Sequence, residues 1–175
     1  MGRSREMDLL RAALAEAKDG RGQVALLSGE PGIGKTRTAQ ELARYAETQG
    51  FRLLWGWCYD GEGAPPYWPW AGLFRTYVQQ TEPDLLRGQI GPGSAGIAGL
   101  VPGVGDKLGD VPEPTHLDPE QSRFRLFEAV SSFLKRAAAD EPLLLVLDDI
   151  HWADEPSLLL LRFIARQIDD SRLMI

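Results

Sequence analysis

An α/β fold, a parallel sheet flanked by helices, follows from three observations on these 175 residues. Short apolar runs of strand length alternate with longer segments of helical periodicity. A glycine-rich turn joins the first such run, VALLS (24–28), to a helical segment. A later run, LLLVLDD (143–149), ends in two aspartates, and polar groups at the carboxyl ends of strands are where open α/β sheets bind ligands.

Each element has its own signal. Residues 4–18 bring Met7, Leu10, Leu14 and Ala17 onto one helical face, with Ser4 placed to cap and Gly20 to stop. VALLS has strand length, 36–49 reads as a helix ended by Gly50, and FRLLWGW (51–57) is a β-rich run between turn residues. GEGAPPYWPW (61–70), with three prolines and two glycines, is expected to lack regular structure; helical spacing resumes over 70–80. Residues 83–118 hold eight glycines and five prolines. They read as a Gly/Pro-rich insertion within the domain, a loosely ordered surface excursion with a short helix at 84–90. Asp118 with Gln121 marks a helix start, and Phe124, Phe127, Val130 and Leu134 share one face of a helix reaching about Ala139. Asp154 caps a helix over 155–168 with Pro156 in its first turn, and SRLMI (171–175) opens a last strand. The expectation is one domain over 1–175, truncated at its C-terminal side and forming the N-terminal part of a larger module.

Composition narrows the function. Hydrophobic residues at 43% and charged residues at 25% suit a globular chain with a real core. Cys58 is the single cysteine, so neither an internal disulfide nor a cysteine-built metal site can form, and His116 and His151 leave little material for zinc. No apolar run nears the roughly 18 residues of a membrane span. The charged start, MGRSREMDLL, is unlike a signal peptide, so a cytoplasmic protein without membrane contact is expected. The 19 Lys+Arg against 25 Asp+Glu give a net charge of −6, which argues against direct nucleic-acid contact by this segment.

The chemistry concentrates in two places. Gly29-Glu-Pro-Gly-Ile-Gly34-Lys35-Thr36 fits G-x-x-x-x-G-K-[ST], a loop whose glycines let the backbone curl around a phosphate. The curl and the start of the following helix turn N–H groups toward an anion. Lys35 can reach β- and γ-phosphate oxygens, and the Thr36 hydroxyl is a hard-oxygen ligand for Mg2+. In the second place, Asp148 is the candidate to hold Mg2+, and Asp149 the candidate to orient or deprotonate an attacking water.

Taken together, Arg3-x-x-Glu6, GEPGIGKTR (29–37), YWPW (67–70) and LDDIHWAD (147–154) resemble the signal-transduction ATPases related to AAA proteins. That group occurs in large bacterial LuxR-type transcription regulators and beside nucleotide cyclases and protein kinases. The resemblance spans nearly the whole chain and is weakest over 83–118. It implies a P-loop NTPase fold, with VALLS lying between the LLLVLDD and SRLMI strands. It implies ATP and Mg2+ as cofactors. Gly29, Gly32, Ile33, Gly34, Lys35, Thr36 and Arg37 would bind nucleotide, Thr36 and Asp148 the metal, and Asp149 with Lys35 would be catalytic. Gly2 and Arg3 would lie near the adenine. The implied partners are ATP or ADP, other domains of the same polypeptide and further copies of the chain.

The function expected is Mg-ATP binding with slow hydrolysis, used as a conformational switch. A non-catalytic nucleotide-binding scaffold is the alternative. A small-molecule kinase would need a basic lid, for which 83–118 offers only Arg87 and Lys107. The tryptophans at 55, 57, 68 and 70 are expected to pack the YWPW loop onto the second strand, and Cys58 to be an inert small residue. His151 and Trp152 are expected to shape a turn, and the Phe124–Leu134 stripe to be core.

Overall fold

The computed structural model describes residues 4–61, 63–101, 103–109 and 118–175. Helix α1 spans Ser4–Lys18 and buries Met7, Leu10, Leu14 and Ala17, the face given by their spacing. Ser4, the first residue described, is itself helical rather than standing ahead of the helix. Gly20, at φ 87°, turns the chain out. Helix α2 (Lys35–Thr48) buries Thr38, Leu42, Ala43 and Ala46, and Gly50 ends its turn at φ 83°. Strand β1 is Arg52–Trp57, β2 is Leu143–Asp148 and β3 is Leu173–Met174.

The sheet is parallel, in the order β1-β2-β3. Arg52–Trp57 pair in register with Leu143–Asp148, and Leu143 and Leu144 pair with Leu173 and Met174. Residues 23–25 run along the far side of β3: Gln23 bridges Met174, and the Ala25 N–H donates to the Ile175 carbonyl at 2.8 Å. The VALLS segment therefore lies beyond β3 and not between the LLLVLDD and SRLMI strands as expected. The reason is direct: β3 occupies the hydrogen-bonding edge of β2. VALLS forms no full strand: the bridge falls on Gln23, just before it.

Two cores sandwich the sheet. One face carries α1 and α2, with Leu144 and Met174 packed against Leu14, Leu42 and Ala46. The other carries Leu54, Leu143 and Leu145 beneath helices α3 (Trp68–Gln80), α7 (Pro119–Asp140) and α8 (Glu155–Ile164). Helix α3 begins earlier than the proline count suggests. Pro69 sits in its first turn, where a missing N–H is tolerated, so Trp68 and Trp70 are helical. Gly56 lets α3 approach β1: a Cβ there would lie 2.6 Å from the Pro69 carbonyl oxygen. Helix α8 stops at Ile164, four residues short of expectation, and the Arg166 and Gln167 N–H groups close tight turns onto Phe163 and Ile164.

The largest correction concerns 83–118. The short helix expected at 84–90 is α4 (Pro83–Ile90), and beyond it the described residues 91–101 and 103–109 are not loose but fold into a 3-10 turn (Gly91–Gly93), α5 (Ser94–Leu100) and α6 (Val104–Leu108). Leu86, Ile90, Ile97, Leu100, Val101 and Val104 enter the same core as α7. Each such side chain stabilises by about 1.5–3 kcal/mol on burial, enough to override poor local propensity. The glycines serve close packing: a Cβ on Gly93 would lie 2.8 Å from the Ala129 Cβ of α7. The Arg136 guanidinium of α7 donates to the Gln89 and Ile90 carbonyls at 2.5 and 2.7 Å, fixing the end of α4.

Candidate functional site

The glycine loop leaves residues 23–28 and enters α2 through Gly32 (φ 76°) and Gly34 (φ 95°), left-handed conformations that favour glycine. This curl sets Lys35 at the start of α2, where the first N–H groups of a helix have no i−4 partner. The Lys35 ammonium donates to the Gly29 and Glu30 carbonyls at 3.0 and 3.1 Å, so it spans the mouth of the loop. Thr36 and Arg37 are exposed, as is Ile33, whose N–H donates to the Glu30 carbonyl at 3.3 Å.

The second half of the site arrives from β2. The Thr36 hydroxyl donates to Asp148 Oδ1 at 3.3 Å, across 112 residues of sequence. Asp149 follows at φ 55°, a left-handed turn that ends the strand and leaves its side chain exposed, while its N–H donates to Asp148 Oδ1 at 3.1 Å. A cavity of about 460 Å3 connects the two halves, lined by Gly29, Pro31, Lys35, Asp148, Asp149 and His151 among others. A hydroxyl and a carboxylate this close are hard-oxygen donors suited to Mg2+, and the loop beside them suits a polyphosphate. The residues present therefore fit a magnesium nucleotide. Gly2 and Arg3 lie outside the described residues, as does His116.

One organising residue exceeds what its sequence signal promised. Asp154 caps α8 as expected, accepting the Ser157 N–H at 2.9 Å and the Ser157 hydroxyl at 2.6 Å. It also accepts the Tyr67 N–H at 3.2 Å, and the Trp70 indole N–H donates to the Ser157 carbonyl at 3.2 Å. Tyr67 is held at φ 65° there. The YWPW loop is thus tied to the turn after the two acids, a tie between segments 87 residues apart that no local pattern announces. Trp70 is fully buried, whereas Trp57 (62% exposed) and Trp68 (41%) face outward, so only part of the aromatic cluster packs as expected. Cys58 is buried beside Asp154, Asp149 and Asp148, and burial followed by these carboxylates pushes its thiol up to about 11. It stays a protonated, unreactive thiol near neutrality. His151 and Trp152 are exposed, their rings 5.1 Å apart.

The parallel sheet, the glycine loop at a helix start and the acid-ended strand beside it define a nucleotide-binding α/β domain of the P-loop type. The family model for the AAA ATPase domain matches residues 1–175, and the chain belongs to that family. Nucleotide binding is the activity that membership implies. Among curated proteins, an uncharacterised protein of Rhizobium meliloti (strain 1021) is 26% identical over 162 residues. That match covers 85% of this chain but only 15% of the relative's length. No solved structure matches the chain. No helix among the described residues is long and apolar enough to cross a membrane.

Proposed function

We propose that this domain binds Mg-ATP and hydrolyses it slowly, and that the bound state acts as a conformational switch within a bacterial signalling or transcription-regulatory polypeptide. The observation that supports this most is the meeting of Thr36 Oγ1 and Asp148 Oδ1 at 3.3 Å, beside the Lys35 ammonium. In this reading the loop N–H groups and Lys35 hold the β- and γ-phosphates, Thr36 and Asp148 hold Mg2+, and Asp149 orients water toward the γ-phosphate. The metal supplies charge neutralisation between the phosphates; the chain's own contribution is positioning. The signalling role rests on the likeness of the GEPGIGKTR and LDDIHWAD runs to signal-transduction ATPases, including those of LuxR-type regulators.

Isothermal titration with a non-hydrolysable ATP analogue tests the site. Loss of the Lys35 contact in Lys35→Ala removes a charge-assisted interaction of about 2–3 kcal/mol, roughly 30- to 150-fold in affinity. Equal affinity of the two proteins would refute the phosphate-site assignment.

A further inference from the structure

The groove between α7 and α8, far in sequence from the phosphate loop and sharing no lining residue with the nucleotide cavity, carries an unusual charge arrangement. It measures about 880 Å3 and is lined by Arg123 and Arg125 of α7 and by Arg162 and Arg166 of α8 and the turn after it. All four arginines are exposed, and none makes an ion pair among the described residues, although Glu120 and Glu128 line the same groove. On a chain of net charge −6, four guanidiniums against two carboxylates make this groove a local reversal of sign.

The groove also has an apolar floor. Phe124 is 53% exposed and meets the Phe163 ring edge-on at 5.9 Å; Phe127 lies 5.6 Å from the same ring. An exposed aromatic ringed by arginines is the composition of a contact centre, because both residue types are enriched where partners anchor. Guanidiniums match carboxylates in paired hydrogen bonds. A nucleic-acid backbone carries a phosphate at every step and would meet Glu120 and Glu128 between the arginines, whereas a peptide can place its carboxylates only where the guanidiniums stand.

We propose that the α7–α8 groove docks an acidic peptide segment of a protein partner, with an apolar side chain seated on Phe124 and Phe163 and carboxylates on the four arginines. The test is fluorescence anisotropy with a fluorescein-labelled decapeptide carrying glutamates around a central Leu-Phe pair. Its two comparison probes are the same peptide with lysines in place of the glutamates and a ten-nucleotide oligothymidylate. The acidic peptide should bind, the lysine peptide should not, and binding should weaken as salt rises. The double change Arg162→Gln with Arg166→Gln should weaken binding about tenfold, and Phe124→Ser by a similar factor. Both changes are at exposed positions, and circular dichroism melting establishes that each variant is folded. Lys35→Ala should leave peptide binding unchanged, which separates this groove from the phosphate loop. Equal binding of the acidic and lysine peptides, tighter binding of the oligonucleotide, or binding that Lys35→Ala abolishes and the groove variants leave intact would each overturn the proposal.

Discussion

Replacing Asp154 with Ala is the most informative single change in this fold. The half-buried carboxylate accepts three hydrogen bonds, two from Ser157 at the start of α8 and one from the Tyr67 N–H. Loss of an N-cap costs about 1 kcal/mol. The Tyr67 N–H, part-buried and left without an acceptor, adds about 1–3 kcal/mol. Release of Tyr67 from its left-handed conformation (φ 65°) returns a fraction of this. The net loss is about 1–3 kcal/mol, which for a chain of this length lowers Tm by roughly 3–12 °C. Asp154→Asn keeps one acceptor oxygen for the Ser157 and Tyr67 N–H groups and should recover more than half of the drop. Thermal melts followed by circular dichroism, on wild type and both variants, give the result. An Asp154→Ala melt within about 1 °C of wild type, or an Asn variant as damaged as the Ala variant, would refute the assignment of Asp154 as the tie between α3 and α8.

Other expectations follow from the same geometry. Asp148→Asn should weaken Mg2+-dependent nucleotide binding in titration calorimetry, while Asp149→Asn should leave binding nearly intact and slow phosphate release; equal damage to binding from both would overturn the division of roles. Gly56→Ala places a Cβ 2.6 Å from the Pro69 carbonyl oxygen and should destabilise by about 1–3 kcal/mol in urea titrations, because backbone cannot yield as a side-chain tip can. Cys58, with its thiol raised to about 11, should react with a disulfide reagent at pH 8 far more slowly in the native than in the urea-unfolded chain. Its raised folded value also means that its contribution to stability is complete below the ordinary thiol range and declines as pH rises toward about 11, so alkaline melts of Cys58→Ala should show a shallower fall than wild type.

What the residues alone made legible was whatever depends on neighbours in sequence. The buried face of α1, the capping of α7 by Asp118 (Gln121 N–H to Oδ1, 2.9 Å) and of α8 by Asp154, and the left-handed glycines of the phosphate loop all have local causes. The misread parts have distant causes. Glycines at 93 and 96 look like breakers, yet they are where α5 and the turn before it press on Ala129 and Leu126 of α7. Leu86 and Ile90 fall within the helix expected at 84–90, whereas the spacing of Ile97, Leu100 and Val104 is masked by the surrounding glycines and prolines. The sheet order was unreadable for a similar reason. Which strand takes the free edge of β2 is decided by crossover connections, not by the composition of 24–28.

The juxtaposition of Thr36 and Asp148 can be traced to the period of a single strand. Successive side chains of a strand point to opposite faces, so alternate residues share one core. Along β2, Leu143 and Leu145 enter the core under α3, α7 and α8, with Leu147 packed against it. Leu144 enters the core beneath α1 and α2, and Val146 packs against that one. Asp148 continues the second series, and α2, which carries Thr36, covers that same face. The acid therefore meets the hydroxyl because the alternation that sends Leu144 and Val146 toward α2 sends Asp148 the same way. A slip of one residue would exchange two apolar series and turn the Asp148 carboxylate toward the core under α3, α7 and α8. It would also present position 147 or 149 to Thr36 instead of 148. Asp149 escapes the alternation only because the strand ends before it: its left-handed turn at φ 55° lifts it out of the pleat toward solvent. Two adjacent aspartates thereby acquire different surroundings, one against the hydroxyl of α2 and one at the open mouth of the cavity, and the difference is set by the packing of residues that touch no nucleotide.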